Sequence, residues 1–149
     1  DVISRGDSSR FYERLLKKTN LFAEIDAFVT GDMETGLFII SAKLSEGVTY
    51  EEAEAAIDQE LLELVENGVE VEELKKVKNK AEATFEFGKT SALNKAMGLA
   101  ICALVKEPEL FNYEFELYDK VSVETIQRVA KNVLRKENRS KLIYKAKKV

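Results

Sequence analysis

The chain has 149 residues, of which 23 are Lys or Arg and 27 are Asp or Glu, giving a formal net charge of −4. This length suggests one domain with a sizeable core. No apolar run approaches the roughly 20 residues that a membrane span needs, and the acidic balance differs from the basic surface that binds nucleic acid. The composition therefore argues against membrane and nucleic-acid partners.

The chain contains no His and a single Cys. Imidazole is the usual general base near neutral pH and the commonest metal ligand. A Ser-His-Asp triad, a Cys-His pair or a His-containing zinc site therefore cannot be built from these residues alone. Cys102 lies in the most apolar predicted helix, where core packing explains it better than nucleophilic catalysis. We predict no catalytic residue, no metal ligand and no cofactor within this chain.

The apolar spacing of the first third predicts a short helix followed by a β-hairpin. Phe11 and Leu15 belong to the helical stripe, which follows a predicted N-cap at Asp7 and Ser8. Residues 21–29 alternate, which predicts a strand whose odd-numbered side chains face inward. Residues 37–44 predict a second, antiparallel strand. The turn residues Asp32 and Glu34 lack the ligand pattern of a calcium loop, and we interpret them as a plain turn.

The remaining sequence predicts helices and one final strand. Thr49 and Glu52 form a capping box that starts a helix, and Gly68 closes it. Three of the next four predicted helical segments begin at Glu70, Ser91 and Ser122, and the other contains residues 111–118. Residues 141–146 alternate again, which predicts a strand. We predict an α+β fold, a two-layer sandwich in which helices pack on one face of an antiparallel sheet, over a single domain spanning residues 1–149.

Two clusters of charged residues, one acidic and one basic, are candidates for a functional site. We interpret the acidic residues of the Thr49 helix as a solvated outer face. They are Glu51, Glu52, Glu54, Asp58, Glu60, Glu63 and Glu66. We interpret the basic tail residues as protection of an edge strand against aggregation. They are Lys141, Lys145, Lys147 and Lys148.

A segment near the start of the chain resembles the pitrilysin/insulinase-type zinc peptidases. In that family a loop rich in Gly and Ser leads into the pattern Ser-Arg-Leu-Tyr-x-x-Leu on a helix. The matching residues here are Ser8, Ser9, Arg10, Phe11, Tyr12 and Leu15. The resemblance continues in order through Gly36-Leu37-Phe38, residues 49–64, residues 73–79 and residues 122–130. It covers essentially the whole chain, and the order of the motifs makes it specific.

The resemblance implies a two-lobed enzyme in which two related α+β halves enclose a peptide. The N-terminal half of such an enzyme supplies an inverted His-x-x-Glu-His zinc motif, whose glutamate activates the metal-bound water. This chain resembles the C-terminal, non-metal-binding half. The resemblance implies a partial domain that lacks the first strand and first helix of that half. The start at Asp-Val-Ile instead of Met suggests a processed protein or a piece of a longer one.

The resemblance also implies a role for this chain and for one of its residues. We predict a non-catalytic, substrate-enclosing domain whose partners are the zinc-binding half and a peptide or protein substrate, with zinc bound outside this segment. Arg10 is the candidate substrate-binding residue, and the alternative is that Arg10 anchors the loop of residues 4–9. Many family members offer the substrate an Arg and a Tyr at positions that align with Leu16 and Ala23, so that pair is absent here.

The loss of that pair supports an alternative function, a catalytically inactive scaffold or protein-interaction subunit with the same fold. In either case we expect the isolated chain to be inactive as a peptidase. A single cysteine fits a reducing compartment, so we predict the cytoplasm, with the periplasm as the alternative.

Overall fold

The computed structural model describes residues 1–31 and 35–145 of the chain. A π-helix at Phe11–Leu16 leads into strands β1 (Phe22–Val29) and β2 (Phe38–Leu44). Five α-helices and a short 3-10 turn at Lys136–Asn138 follow. The helices are α1 (Tyr50–Asn67), α2 (Val71–Gly88), α3 (Ala92–Leu104), α4 (Leu110–Asp119) and α5 (Val123–Val133). The predicted α+β class is confirmed.

Strands β1 and β2 pair antiparallel, as the hairpin prediction required. The inward face of β1 differs from the prediction, because Phe22 and Ala27 are buried whereas Ala23 and Val29 are exposed. The register of the ladder shifts between Phe22 and Glu24. An extra residue at such an irregularity reverses the side-chain alternation on one side of it, which a strict period of two cannot foresee.

Local capping explains where α1, α3 and α5 begin and where α1 ends. The Thr49 hydroxyl accepts a hydrogen bond from the Glu52 N–H while the Glu52 carboxylate accepts one from the Thr49 N–H, which confirms the capping box at the start of α1. Gly68 ends α1 with φ of 71°, a backbone conformation that glycine adopts without strain. The hydroxyls of Ser91 and Ser122 cap α3 and α5 as predicted.

The first helix differs in type from the prediction. Its backbone is π-helical, its N-cap is Arg10, and the Arg10 side chain makes no capping hydrogen bond. Asp7 and Ser8 lie in the preceding loop instead of capping the helix. The amide groups of Arg10 and Phe11 donate to the carbonyl oxygens of Val2 and Ile3 (3.1 and 2.9 Å). The carbonyl groups of the segment before the loop therefore accept the hydrogen bonds of these two N–H groups at the start of the helix.

The core consists of two adjoining clusters of buried apolar side chains. The first joins the π-helix, the hairpin and α1, and its buried members are Phe11, Leu15, Phe22, Ala27 and Ala53. The second joins α1, α2 and α5, and its buried members are Leu64, Val69, Leu74 and Ala130. Ile3 packs against both clusters. The N-terminal segment thus lies where the sheet layer meets the helical layer.

The predicted final strand is wrong for the residues that can be compared. Residues 141–145 make no strand, and Ala146 lies outside the described residues. The segment is instead fixed to α1 by side chains: Arg139 donates to Asp58 and Glu54, and Lys141 donates to Glu54 (2.7 Å). The sequence of this segment alternates as a strand would, but among residues 1–31 and 35–145 no strand pairs with it.

Within the described part of the chain, no helix is both long enough and apolar enough to cross a bilayer.

We expect the Leu15→Ala variant to lose about 2–5 kcal/mol of unfolding free energy, because it removes a large side chain from the first cluster and leaves a cavity. Leu15 is 3% exposed, whereas Leu142 is 94% exposed. The matched control Leu142→Ala should change the unfolding free energy by less than about 0.5 kcal/mol. Urea unfolding followed by circular dichroism measures both variants. Equal losses would show that the first cluster does not hold the fold.

Candidate functional site

The candidate site is built around Arg10, the residue that the sequence singled out. Arg10 precedes the π-helix and is 7% exposed. A guanidinium group carries a permanent charge and five donors, so its burial requires compensating acceptors. The position of Arg10 at the junction of the two core clusters explains both its burial and its reach to α2.

The guanidinium of Arg10 forms a two-pronged ion pair with Glu73 in the first turn of α2. Nε donates to Oε1 (2.9 Å) and one terminal nitrogen, Nη2, donates to Oε2 (2.8 Å). The same Nη2 also donates to the carbonyl oxygen of Gly68 (2.8 Å), at the end of α1. This geometry ties the π-helix to the α1–α2 junction with charge-assisted hydrogen bonds.

The ion pair also sets the ionisation of Glu73. Partial burial acts to raise the pKa of Glu73, but the hydrogen bond and the positive charge of Arg10 outweigh it and leave the pKa below its ordinary value near 4.5. Glu73 is therefore ionised at neutral pH. The other terminal nitrogen of Arg10, Nη1, is buried and has no hydrogen-bond partner within residues 1–31 and 35–145. Its free N–H groups could bind a carbonyl, a carboxylate or a water molecule.

A second arginine joins the same helix to α1. Arg14, one turn after Arg10, donates to the carboxylates of Glu60 and Glu63 on α1 (3.2 and 2.5 Å). The π-helix is thus bound to α1 through Arg14 and to α2 through Arg10. Its orientation relative to both helices is fixed by ion pairs in addition to apolar packing.

The loop of residues 4–9 lies beside this ion-pair network. Ser4 and Ser9 are buried, and the Ser4 hydroxyl donates to the Asp26 carboxylate on β1. Arg5 has φ of 77°, which is rare for a residue with a side chain, and the Lys80 ammonium group donates to its carbonyl oxygen. The loop is therefore held on one side by β1 and on the other by α2.

A cleft of about 270 Å³ separates the loop from α2. Its polar and charged lining residues are Asp1, Arg5, Ser8, Glu72, Glu73, Lys76 and Lys80. Arg10 is not among its lining residues. The cleft is smaller than the roughly 300–1,000 Å³ of typical ligand pockets, so by itself it could hold a side chain or a small anion and not an extended peptide.

Several other candidates from the sequence do not assemble into a site. The described residues hold no group of three His, Cys, Asp or Glu that could bind a metal ion. Cys102 is buried, which agrees with the core-packing interpretation. Asp32, Glu34, Lys147 and Lys148 lie outside the described residues. Leu16 ends the π-helix half-buried and Ala23 lies exposed on β1. Neither residue could replace the polar pair of the family.

The acidic face of α1 is not the freely solvated surface that its pattern predicted. Glu54 and Asp58 pair with Arg139, and Glu60 and Glu63 pair with Arg14. These cations come from distant parts of the chain, so the helical pattern alone could not reveal them. Four of the seven residues of the predicted solvent face thus hold other segments in place.

Sequence reasoning found Arg10 but not its partners. Glu73 is 63 positions away along the chain, and the Gly68 carbonyl belongs to the backbone. The single available signal was that Arg10 and Glu73 both stand in segments that carry the family resemblance.

We expect Glu73→Gln to lower the unfolding free energy at neutral pH by about 2 kcal/mol, because it leaves a buried guanidinium without its anion. The pKa of Glu73 is lowered in the folded chain, so its contribution is present above the ordinary value and is lost as pH falls through the folded value. The difference between wild type and variant should therefore shrink below about pH 4. Chemical unfolding at a series of pH values measures it.

The control for this experiment is Glu72→Gln, which removes an exposed carboxylate from the same helical turn. A loss as large as that of Glu73→Gln, or a Glu73 effect that is constant down to low pH, would contradict the assigned role of the ion pair.

Comparison with known proteins places this architecture in a family. The family described as the Peptidase M16 inactive domain matches residues 1–81, more than half of the chain. These residues contain the loop, the π-helix, the hairpin, α1 and both partners of the Arg10–Glu73 ion pair. The match confirms the resemblance to the pitrilysin/insulinase-type zinc peptidases.

Solved structures share the fold over nearly the whole chain. A protein of Bordetella pertussis Tohama I assigned as a zinc protease has a TM-score of 0.79 and 20% identity, covering 93% of this chain and 77% of that one. The inactive peptidase domain of a protein of Bordetella parapertussis assigned as a zinc protease has a TM-score of 0.81 and 19% identity, covering 93% and 74%. These identities show the fold alone.

A protease of Helicobacter pylori has a TM-score of 0.81 and 19% identity, and the match covers 88% of this chain but 32% of that protein. This chain therefore spans about a third of the Helicobacter protein. No curated protein matches the chain significantly. The family match over residues 1–81, together with the shared fold, shows that the chain belongs to the inactive-domain family of the M16 peptidases.

Proposed function

We propose that this chain is the substrate-enclosing, non-catalytic half of a zinc metallopeptidase, and that peptide-bond hydrolysis takes place on a separate zinc-binding half. The observation that carries the proposal is the match to the Peptidase M16 inactive domain over residues 1–81. The Helicobacter structure supports it, because a protein described as a protease contains this fold within a longer chain.

The described residues of this chain do not fit a zinc site. Zinc in proteins is bound by Cys, His and carboxylate ligands. The chain has no His and one Cys, which is buried, and residues 1–31 and 35–145 bring no three possible ligands together. Zinc and the proton transfers that accompany hydrolysis therefore belong, in this proposal, to the other half. The contribution of the present chain is a surface that faces the peptide.

The loop of residues 4–9 and its cleft are our candidate for that surface. The lining combines cations at Arg5, Lys76 and Lys80 with the acidic residues Asp1, Glu72 and Glu73, groups that can pair with the charged side chains or the termini of a peptide. The cleft is open and small, so an extended peptide would be enclosed only when a second protein surface closes over it. This requirement fits a half of a two-lobed enzyme.

A scaffold or protein-interaction subunit is the second candidate function. One observation favours it: Leu16 and Ala23 stand at the positions of the family's substrate-binding Arg and Tyr, and neither can form their polar contacts with a peptide. A subunit of this kind would bind a zinc-bearing half without contributing to turnover. Localisation in the cytoplasm, with the periplasm as the alternative, is a prediction for either function.

The test combines this chain with the His-x-x-Glu-His half of the same or a neighbouring gene product. We expect the isolated chain to carry no stoichiometric zinc after dialysis and to cleave no quenched peptide, because it has no His and a single Cys, the residue types on which most zinc sites depend. The combined halves should cleave peptides in a chelator-sensitive manner. Replacing the motif glutamate of the zinc-binding half by Gln supplies the inactive control.

Each outcome separates the two functions. Cleavage that needs both halves supports the peptidase, whereas a stable complex without cleavage, or equal cleavage by the zinc-binding half alone, supports the scaffold. Zinc-dependent turnover by the isolated chain would contradict both.

A second prediction concerns Arg10 in the assembled enzyme. Because the contacts with Glu73 and Gly68 occupy most of its donors, we expect Arg10→Ala to lower the melting temperature and leave KM of the folded enzyme nearly unchanged. Arg14→Ala is the matched control, since it removes an ion-paired arginine one turn away. A severalfold increase in KM for Arg10→Ala but not for Arg14→Ala would assign Arg10 to substrate binding through its free Nη1.

A further inference from the structure

The cleft between the loop of residues 4–9 and α2 brings together three cations from two segments of the chain. Arg5 belongs to the loop, and Lys76 and Lys80 belong to α2. On α2 the lining residues Glu72, Lys76 and Lys80 stand four positions apart. Residues at this spacing share one side of a helix, so the three side chains form a row along about 12 Å of α2.

The three cations of the cleft have no carboxylate partner in the described part of the chain. Among the ion pairs of residues 1–31 and 35–145, none involves Arg5, Lys76 or Lys80. The buried Arg10, in contrast, is paired with Glu73. The positive charges of the cleft are therefore available to a ligand.

The ammonium group of Lys80 is held against the loop. It donates to the carbonyl oxygen of Arg5, and a Cβ atom added to Gly6 would lie 2.6 Å from its Nζ. Gly6 has φ of 105°, a backbone conformation that glycine adopts without strain. An ammonium group has three donors, so Lys80 keeps two N–H groups for a ligand while its charge stays at the cleft.

The charges of Arg5 and Lys80 act on the same part of the cleft. Asp1 also lines it, and the pKa of the Asp1 amino group lies below its ordinary value, first because of burial and then because of the positive charges of Arg5 and Lys80. Two cations that oppose a third positive charge at this point attract a negative one.

The carboxylates of the lining limit which anion the cleft can accept. Glu73 is neutralised by Arg10, so Asp1 and Glu72 supply the remaining negative charges of the lining side chains. Three cations against two carboxylates leave one positive charge among these side chains. A singly charged group balances it, whereas the neighbouring carboxylates would repel a doubly charged phosphate.

We infer that this cleft binds a carboxylate group of a peptide, held by Arg5, Lys76 and Lys80. The inference rests on the proposed function, which supplies a peptide as the ligand. The carboxylate is the C-terminus or an Asp or Glu side chain, because both offer the same chemistry. A guanidinium group can donate two parallel hydrogen bonds to one carboxylate, and an ammonium group acts as a point charge. The volume of about 270 Å³ suits a single residue of the peptide.

The first test is a chemical-shift titration of the full chain with acetylated tetra-alanine peptides. We expect the peptide with a free C-terminal carboxylate to bind with a Kd of about 1 mM. The same peptide with a C-terminal amide should bind at least about tenfold more weakly, because it lacks the charge that the cations attract. An amidated peptide with one internal Glu distinguishes the sources: binding equal to that of the free carboxylate includes side chains, and weaker binding assigns the cleft to the terminus.

The second test removes charges from the lining. Lys76→Gln should raise the Kd of the carboxylate peptide by about three- to tenfold, because it removes one of three cations. Lys75→Gln is the matched control: it removes the adjacent exposed cation of α2, which does not line the cleft, and should leave the Kd unchanged. Glu72→Gln should lower the Kd, because it removes a repelling carboxylate from the same row. Circular dichroism of every variant verifies that the fold is retained.

Four results would overturn the inference. They are the absence of binding at carboxylate-peptide concentrations up to about 10 mM, equal binding of the carboxylate and amide peptides, equal effects of Lys76→Gln and Lys75→Gln, and tighter binding of inorganic phosphate than of the peptide.

The proposed function is judged separately, by cleavage with the combined halves. Cleavage without carboxylate binding by this chain would refute the carboxylate site and leave the peptidase function in place. Carboxylate binding without cleavage would leave the site in place and refute the peptidase function.

Discussion

The buried ion pair between Arg10 and Glu73 is the contact on which the arrangement of the other elements depends. A guanidinium that is almost fully removed from water must find acceptors, and Arg10 finds them at the start of α2 and at the last carbonyl of α1. The position of the π-helix relative to the α1–α2 junction is thereby fixed. The loop of residues 4–9 precedes the π-helix and is held beside α2 by the Lys80 ammonium group, which donates to the Arg5 carbonyl oxygen.

Helix boundaries that depend on contacts between residues close in sequence could be predicted. The capping box at Thr49, the end of α1 at Gly68 and the serine caps of α3 and α5 each depend on side chains that contact their own neighbouring backbone. The class of the fold followed from the order of such elements. Patterns that involve the backbone of another segment were not predictable. The irregularity in β1 lies in its pairing with β2, and the N–H groups of Arg10 and Phe11 at the start of the π-helix bond to the carbonyl groups of Val2 and Ile3.

In the candidate site too, local features could be predicted from the sequence and contacts between distant segments could not. Arg10 could be identified because it stands in a family pattern, but its partner is 63 positions away and its burial is a property of the assembled layers. The acidic face of α1 was misinterpreted for a related reason. Helical periodicity locates the side of α1 that is turned from the core, but it cannot tell whether another segment of the chain lies on that side.

The segment of residues 139–145 is attached differently from the rest of the domain. Its contacts with α1 are ion pairs of Arg139 and Lys141 with Glu54 and Asp58 at the surface and a contact of the Lys145 ammonium group with the Tyr50 ring, and the next residue after Lys141, Leu142, contributes almost no buried area. Surface ion pairs weaken as ionic strength rises, whereas apolar packing does not. We therefore expect the segment to be a salt-sensitive tether, which separates from α1 while both core clusters remain folded. Its local opening and the global unfolding of the domain are two distinct equilibria, and amide hydrogen exchange would resolve them.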